Sequence, residues 1–182
     1  MELRWVSPPT ILETKRLRLR KPVLSDAEVI FRKYAREPEV TKYLTWQPNR
    51  NVKETRDFVR ACLQAWDNGK SFHWIIVRRQ DQELLGMITA RVDDHGWELG
   101  YVLARPYWGN GYMTEVLKKL VECGLKQAGI YRVWSVCDVD NLASARVMEK
   151  AGMQREGMLR RWSMHPNISD KPRDSFCYAI TK

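Results

Sequence analysis

The stretch Trp97-Glu98-Leu99-Gly100-Tyr101-Val102-Leu103 runs directly into Ala104-Arg105-Pro106-Tyr107-Trp108-Gly109-Asn110-Gly111-Tyr112-Met113-Thr114-Glu115. This join constrains the fold more than any other part of the chain. It reads as a strand that passes through a glycine-bearing turn into a helix, because Met113, Val116, Leu117, Leu120, Val121, Gly124, Leu125 and Ala128 keep the i, i+3, i+4, i+7 spacing of a one-sided helix. A helix N-terminus with glycines before it presents unpaired N–H groups and the positive end of the helix dipole, a ready site for phosphate. A phosphorylated cofactor is therefore the first expectation.

The flanking sequence supplies the partners of this unit. Leu12, Leu17 and Leu19 alternate with basic residues and predict a half-exposed strand in the second half of Ile11 to Arg20. Ser25 followed three residues later by Glu28 reads as a capping box for a first helix carrying Ala27, Ile30, Phe31 and Tyr34 and ending near Pro38. A second helix is expected from about Val52 to Asn68, with Gly69 as its stop. Phe72 to Arg79, Glu83 to Val92 and Trp97 to Leu103 read as a meander of three strands. Further on come a strand over Arg132 to Asp138, a short helix capped by Asn141 and ended by Gly152, and strands over about Gln154 to Trp162 and Ser175 to Thr181. The order β-α-α-β-β-β-α-β-α-β-β has no internal repeat or linker and predicts one domain over residues 1–182, a mixed α/β sheet with helices on both faces.

Several function classes drop out. No apolar run approaches the ~20 residues that span a bilayer, and Met1-Glu2-Leu3-Arg4-Trp5 lacks the apolar core of a secretory leader, so the expectation is a cytoplasmic protein with no membrane partner. Cys62, Cys123, Cys137 and Cys177 are widely spaced in apolar contexts and read as buried thiols, and His73, His95 and His165 form no ligand pattern, so no metal is expected. The net charge of +9 calls for something anionic. The charge is scattered, however, and a phosphorylated small molecule, a nucleic acid or ribosome surface, and simple solubility all fit it.

The glycine turn is neither a nucleotide P-loop, since no Lys follows Gly111, nor a dinucleotide fingerprint, since Thr114 stands where a third glycine is needed. A second constellation lies downstream, Asp138-Val139-Asp140-Asn141-Leu142-Ala143-Ser144-Ala145-Arg146-Val147-Met148-Glu149-Lys150-Ala151-Gly152. With Thr14-Lys15-Arg16-Leu17-Arg18-Leu19-Arg20 and Tyr107-Trp108-Gly109-Asn110-Gly111-Tyr112, it resembles the GNAT superfamily of acetyl-CoA-dependent N-acetyltransferases over nearly the whole chain. Within that superfamily it is most similar to the Rim-type branch of ribosomal-protein N-terminal acetyltransferases. Of the superfamily's Q/R-x-x-G-x-G/A pattern, Trp108 replaces the first residue and Met113 the last. The Met113 side chain is expected to turn into the core while its N–H faces phosphate.

The resemblance implies a GNAT fold: a mostly antiparallel sheet of about seven strands, splayed at its centre, with about four helices. Pantetheine would fill the splay like an added strand and bond to backbone near Val102 and Leu103. Trp108, Gly109, Asn110, Gly111, Tyr112, Met113 and Thr114 would surround the pyrophosphate, and Asn141 would touch pantetheine or simply cap its helix. Glu98, a carboxylate in the strand bordering the cleft, would serve as general base, directly or through water. Ser144 would protonate the departing sulfur, a light task because a thiol of pKa about 8.5 leaves readily.

Acceptor recognition would fall to Tyr43, Trp46, Asp174 and Tyr178, with Trp162 and His165 nearby. The implied acceptor is a protein N-terminal α-amine, a ribosomal protein included, or a small amine; a homodimer is also compatible with the resemblance. Rival readings are an aminoglycoside or polyamine acetyltransferase with an acidic pocket, a non-catalytic acetyl-CoA sensor, and an RNA- or ribosome-binding module built on Arg16, Arg18, Arg20, Arg155, Arg160 and Arg161.

Overall fold

The structure, a computed structural model, describes residues 7–182; the N-terminal stretch read above as lacking a leader lies outside the described residues. The strands are β1 (Ile11–Glu13), β2 (Leu17–Arg20), β3 (Ser71–Arg78), β4 (Leu84–Val92), β5 (Gly96–Leu103), β6 (Arg132–Asp138), β7 (Gln154–Ser163) and β8 (Arg173–Thr181). The helices are α1 (Asp26–Ile30), α2 (Pro38–Thr41), α3 (Val52–Asp67), α4 (Tyr112–Lys126) and α5 (Leu142–Lys150). One eight-stranded sheet runs in the order β1-β2-β3-β4-β5-β6-β8-β7. Only β5 and β6 are parallel neighbours. The mixed, mostly antiparallel sheet is the one expected, with one strand and one helix more than the sequence suggested.

Both differences have local causes. Thr14, Lys15 and Arg16 turn the chain back on itself, with Thr14 N–H donating to Leu17 O at 2.9 Å, so the strand expected in the second half of this segment, β2, gains an antiparallel partner, β1, from the first half. The capping box at Ser25 does not form, because Ser25 is itself helical with no side-chain bond. Asp26 organises this corner instead. Its carboxylate accepts the Val23 N–H at 2.8 Å and both arms of the Arg20 guanidinium at 2.6 and 2.8 Å. The helix then widens into a π turn over Phe31–Ala35 and stops before Pro38, which starts α2.

Two apolar layers sandwich the sheet. On one face α1 and α3 set Ala27, Ile30, Val59 and Cys62 against Ile75, Val77, Met87 and Val102. On the other, α4 and α5 set Met113, Val116, Leu117, Leu120 and Met148 against Ile76, Ile88, Trp97, Leu99 and Val133. α4 lies hard on the sheet at Gly124, where a Cβ would come within 2.8 Å of both Trp97 and Val133 side chains.

What positions a site is the failure of β5 and β6 to stay paired. Their register holds only at Gly96↔Arg132, Trp97↔Val133 and Glu98↔Trp134. The Ser135 hydroxyl, donating to Leu99 O at 2.7 Å, is a last stitch. Beyond it β5 continues against β4 to Leu103 and β6 continues against β8 to Asp138, so the sheet opens into a V.

Candidate active site

The V opens into a cleft of about 1010 Å³ that passes from the α4–α5 face of the sheet to the α1–α3 face. Its first arm is made of backbone. Ala104 N–H donates to Leu85 O at 2.8 Å, which sets the phase of the β4–β5 ladder. By the alternation of an antiparallel pair, Val102 and Gly100 turn their N–H and C=O groups to β4, while Leu99, Tyr101 and Leu103 turn theirs into the V. Trp108 Nε1 donates to Leu103 O at 2.6 Å and Ser135 holds Leu99 O. The Tyr101 N–H and C=O and the Leu103 N–H are thus the groups an added strand would meet. Of Val102 and Leu103, only Leu103 turns its backbone groups into the V, with Tyr101 beside it; the Val102 groups face β4 and its side chain packs against the core.

At the mouth of the V, Gly109 (φ +73°) and Gly111 (φ +75°) adopt the left-handed turn that lets α4 begin with no side-chain cap. The first-turn N–H groups of α4 therefore have no side-chain cap and face the mouth of the V, the arrangement that suits an anion. Gly109, Gly111, Tyr112, Met113 and Thr114 all line the cleft, as do Trp108 and Asn141. The Met113 side chain is buried in the core, as its position required. Asn110 does not line the cleft; its Nδ2 donates to Trp108 O at 2.9 Å, which shapes the turn.

The turn is braced from the β1–β2 hairpin. Glu115 Oε1 accepts the Thr14 hydroxyl at 2.5 Å and the Arg16 N–H at 2.9 Å, and its Oε2 accepts Arg16 Nε at 2.7 Å. The same guanidinium donates to Asn110 O at 3.0 Å and covers the Tyr112 ring at 4.4 Å. Burial raises the Glu115 pKa, but the Thr14 and Arg16 hydrogen bonds outweigh it and hold the carboxyl below its ordinary range. Arg16 belongs to the Thr14–Arg20 segment singled out in the sequence, but its brace across the sheet was not visible there.

Asn141 caps α5 as expected, its Oδ1 accepting Ser144 N–H at 3.2 Å. The Ser144 hydroxyl shares a 2.6 Å hydrogen bond with Tyr101 OH. Burial holds the Tyr101 phenol well above its usual range, so this pair carries its proton at neutral pH. Tyr101 was missed by sequence reasoning because alternation along a strand says nothing about which hydroxyl a distant helix will meet. Cys137 lies beside the pair and is pushed up to about 12 by burial and by the Asp138 charge, which keeps it a thiol.

The second arm, on the α1–α3 face, is made of side chains. Glu98 lines it with the Arg91 guanidinium 3.6 Å away, and Arg91 itself lies across Gly100, whose absent side chain leaves it room. His73 is fixed at both ring nitrogens, 2.9 Å from Ser71 Oγ and 2.9 Å from Thr89 Oγ1, and burial lowers its pKa to about 4, with help from Arg91. Tyr43 and Trp46 line this arm from the α2–α3 loop. The β7–β8 loop roofs it: Asn167 Nδ2 donates to Thr41 O at 2.7 Å and Trp46 O at 2.8 Å, pinning two loops over one opening.

Two sequence-named acceptor residues lie elsewhere. Asp174 accepts the Arg161 N–H at 2.8 Å at the bulge of β7, and Tyr178 is buried beneath α5 with its hydroxyl on Glu149 at 2.8 Å. A strand pattern at the end of a chain gives no hint of which face meets the cleft.

Comparison with known families matches residues 16–154 to the acetyltransferase (GNAT) domain. The chain belongs to the GNAT acetyltransferase family. It is 34% identical over 175 residues to the uncharacterized N-acetyltransferase YoaA of Bacillus subtilis, covering 94% of this chain and 97% of that one. The crystal structure of a GNAT-family acetyltransferase from Bacillus anthracis superposes with a TM-score of 0.82 at 28% identity, over 94% of this chain and 98% of the other. RimL, a ribosomal L7/L12 alpha-N-protein acetyltransferase solved with coenzyme A, shares the fold at a TM-score of 0.83 and 21% identity, over 94% and 97% of the two chains. The GNAT chain described here is thus an N-acetyltransferase with acetyl-CoA as its donor. Among the described residues no group of side chains suits a metal ion, and no helix is long and apolar enough to cross a membrane.

Proposed function

We propose that this acetyltransferase acts on a protein N-terminal α-amine in the cytoplasm, a ribosomal protein included. The observation that carries this reading is the charge of the cleft wall. Each carboxylate lining it has a cationic partner: Glu39 with Arg105 at 2.5 Å, Glu54 with Arg50 at 3.6 Å, Glu98 with Arg91 at 3.6 Å and Asp138 with Arg173 at 2.6 Å. Arg91, Arg146 and Lys150 also line the cleft. A polyamine or aminoglycoside needs uncommitted carboxylates for its several ammonium groups. A single amine on a neutral or acidic chain does not, and Tyr43, Trp46 and Phe58 suit its first side chains. RimL, which shares the fold, is named for an α-N-protein substrate. The buried free thiols Cys62, Cys137 and Cys177 suit a reducing compartment. A homodimer belongs to the same reading, and sedimentation velocity distinguishes one copy from two.

In this reading the donor's pyrophosphate rests on the N–H groups of residues 109–114 and its pantetheine on Tyr101 and Leu103, with Asn141 alongside. The backbone then fixes the thioester in the V, and charge developing on the carbonyl is met by fixed dipoles instead of mobile water. Glu98 removes a proton from the attacking nitrogen, and the Ser144–Tyr101 hydroxyl pair hands one to the departing sulfur. The test is an acetylation panel of N-terminal peptides, spermidine and kanamycin with mass-spectrometric assignment of the acetylated nitrogen. Peptide α-amines are expected to react at least about tenfold faster in kcat/KM; preference for the polyamine would reject the acceptor assignment.

A further inference from the structure

Buried polar side-chain atoms in a folded protein are nearly always hydrogen-bonded. Among the described residues five lack a partner, and four of them belong to residues that line this cleft: Tyr34 OH, His165 Nδ1, His165 Nε2 and Ser175 Oγ. His165 stands out because it is 5% exposed and free at both ring nitrogens. Its Nε2 lies 3.8 Å from Asp138 Oδ2 at the end of β6. Asp138 is itself fully buried and locked by Arg173, at 2.6 and 3.0 Å, and by the Asp140 N–H at 2.9 Å. Burial raises its pKa, but the Arg173 and Asp140 bonds bring it below the ordinary range, so it stays ionised. Asp138 from β6 is the charged group against the ring, and the Arg173 guanidinium from β8 bonds both Asp138 and, at 2.6 Å, Asp140. His165 occupies the β6 side of the acceptor arm and Glu98 the β5 side.

Two protons leave the nitrogen, at different stages of the reaction. An amine that arrives as R–NH3+ loses one proton before its lone pair can attack and a second after the N–C bond forms. The C–S bond then breaks and the sulfur gains one proton, so one proton leaves for solvent per turnover. On the acyl-transfer reading above, we propose that His165, oriented by Asp138, takes the first proton from the acceptor ammonium and Glu98 takes the second. Asp138 is the positioning residue of this pair.

The test compares pH profiles of kcat/KM, from pH 6 to 10, for the wild-type enzyme, His165→Gln and Glu98→Gln with one N-terminal peptide and acetyl-CoA. H165Q is expected to lose up to about tenfold near pH 7, where an α-amine of pKa about 7.7–8.0 is mostly protonated. That loss shrinks as rising pH supplies the free amine, and it is absent with an acceptor already neutral at pH 7, such as a peptide whose N-terminal α-amine is replaced by a weakly basic aminooxy group. The acetyl-CoA Kd stays unchanged, and E98Q loses rate at every pH. A profile for H165Q parallel to the wild type, or a loss that persists with the neutral acceptor, overturns the proposal. Should H165Q fail to fold, His165→Asn is read by the same two acceptors. If the wild-type enzyme acetylates no amine at all, the acyl-transfer reading itself has failed; if it does and H165Q matches it, only the His165 assignment has.

Discussion

The two arms of the cleft are built from different parts of the chain. The donor arm offers backbone groups of Tyr101, Leu103 and residues 109–114, set by a strand phase and two left-handed glycines. The acceptor arm offers the side chains of His73, Arg91, Glu98 and Asp138 from four strands and of His165 from a loop, roofed by Asn167. The first arrangement tolerates almost any side chain that keeps the φ angles; the second depends on tertiary assembly, ionisation and loop contacts. The donor arm should therefore resist pH change and side-chain replacement, and the acceptor arm should not.

The largest expected effect is on acid stability. His73 titrates at about 4 in the fold against about 6.5 unfolded. Because the folded value is depressed, its contribution is complete above about pH 6.5 and lost as pH falls towards about 4, amounting to about 3 kcal/mol. Urea melts from pH 7 to 4 should show this loss, and His73→Asn should flatten it. Next, Glu98→Gln should lower kcat about 100-fold while the acetyl-CoA Kd, measured by calorimetry, stays within twofold of wild type, that is, about 0.4 kcal/mol. Gly111→Val should do the reverse: a branched side chain at φ +75° costs about 1–2 kcal/mol, so the Kd rises about tenfold or the turn relaxes away from the pyrophosphate. If G111V changed the acceptor KM instead, the division into two arms would be wrong.

These differences explain what was legible in the sequence. The βα join, the i, i+3, i+4 pattern of α4 and the Asn141 cap are local, and each appears where it was read. Tyr101, Arg16 and His165 are placed by contacts 43, 99 and 27 residues away along the chain, with Ser144, Glu115 and Asp138. No local pattern encodes those pairings. Ser25 and Tyr178 show the opposite error: a capping-box spacing was overridden by the Asp26–Arg20 pair, and an aromatic residue assigned to the acceptor is held in the core by Glu149.

Smaller effects test the seams between the arms. Asn167→Ala removes two hydrogen bonds, each worth about 1 kcal/mol; the acceptor KM should rise about fivefold while the acetyl-CoA Kd holds. Ser144→Ala should lower kcat only about threefold, because the thiol is a tolerable leaving group and Tyr101 OH remains in place.

The most direct measurement is a crystal structure of the complex with coenzyme A. Pantetheine is expected to lie in the V, bonded to the N–H and C=O of Tyr101 and the N–H of Leu103, with the pyrophosphate on the N–H groups of residues 109–114 and Arg16 still on Glu115. Coenzyme A bound chiefly through side chains, or a V closed by direct β5–β6 pairing beyond Ser135, would contradict that arrangement.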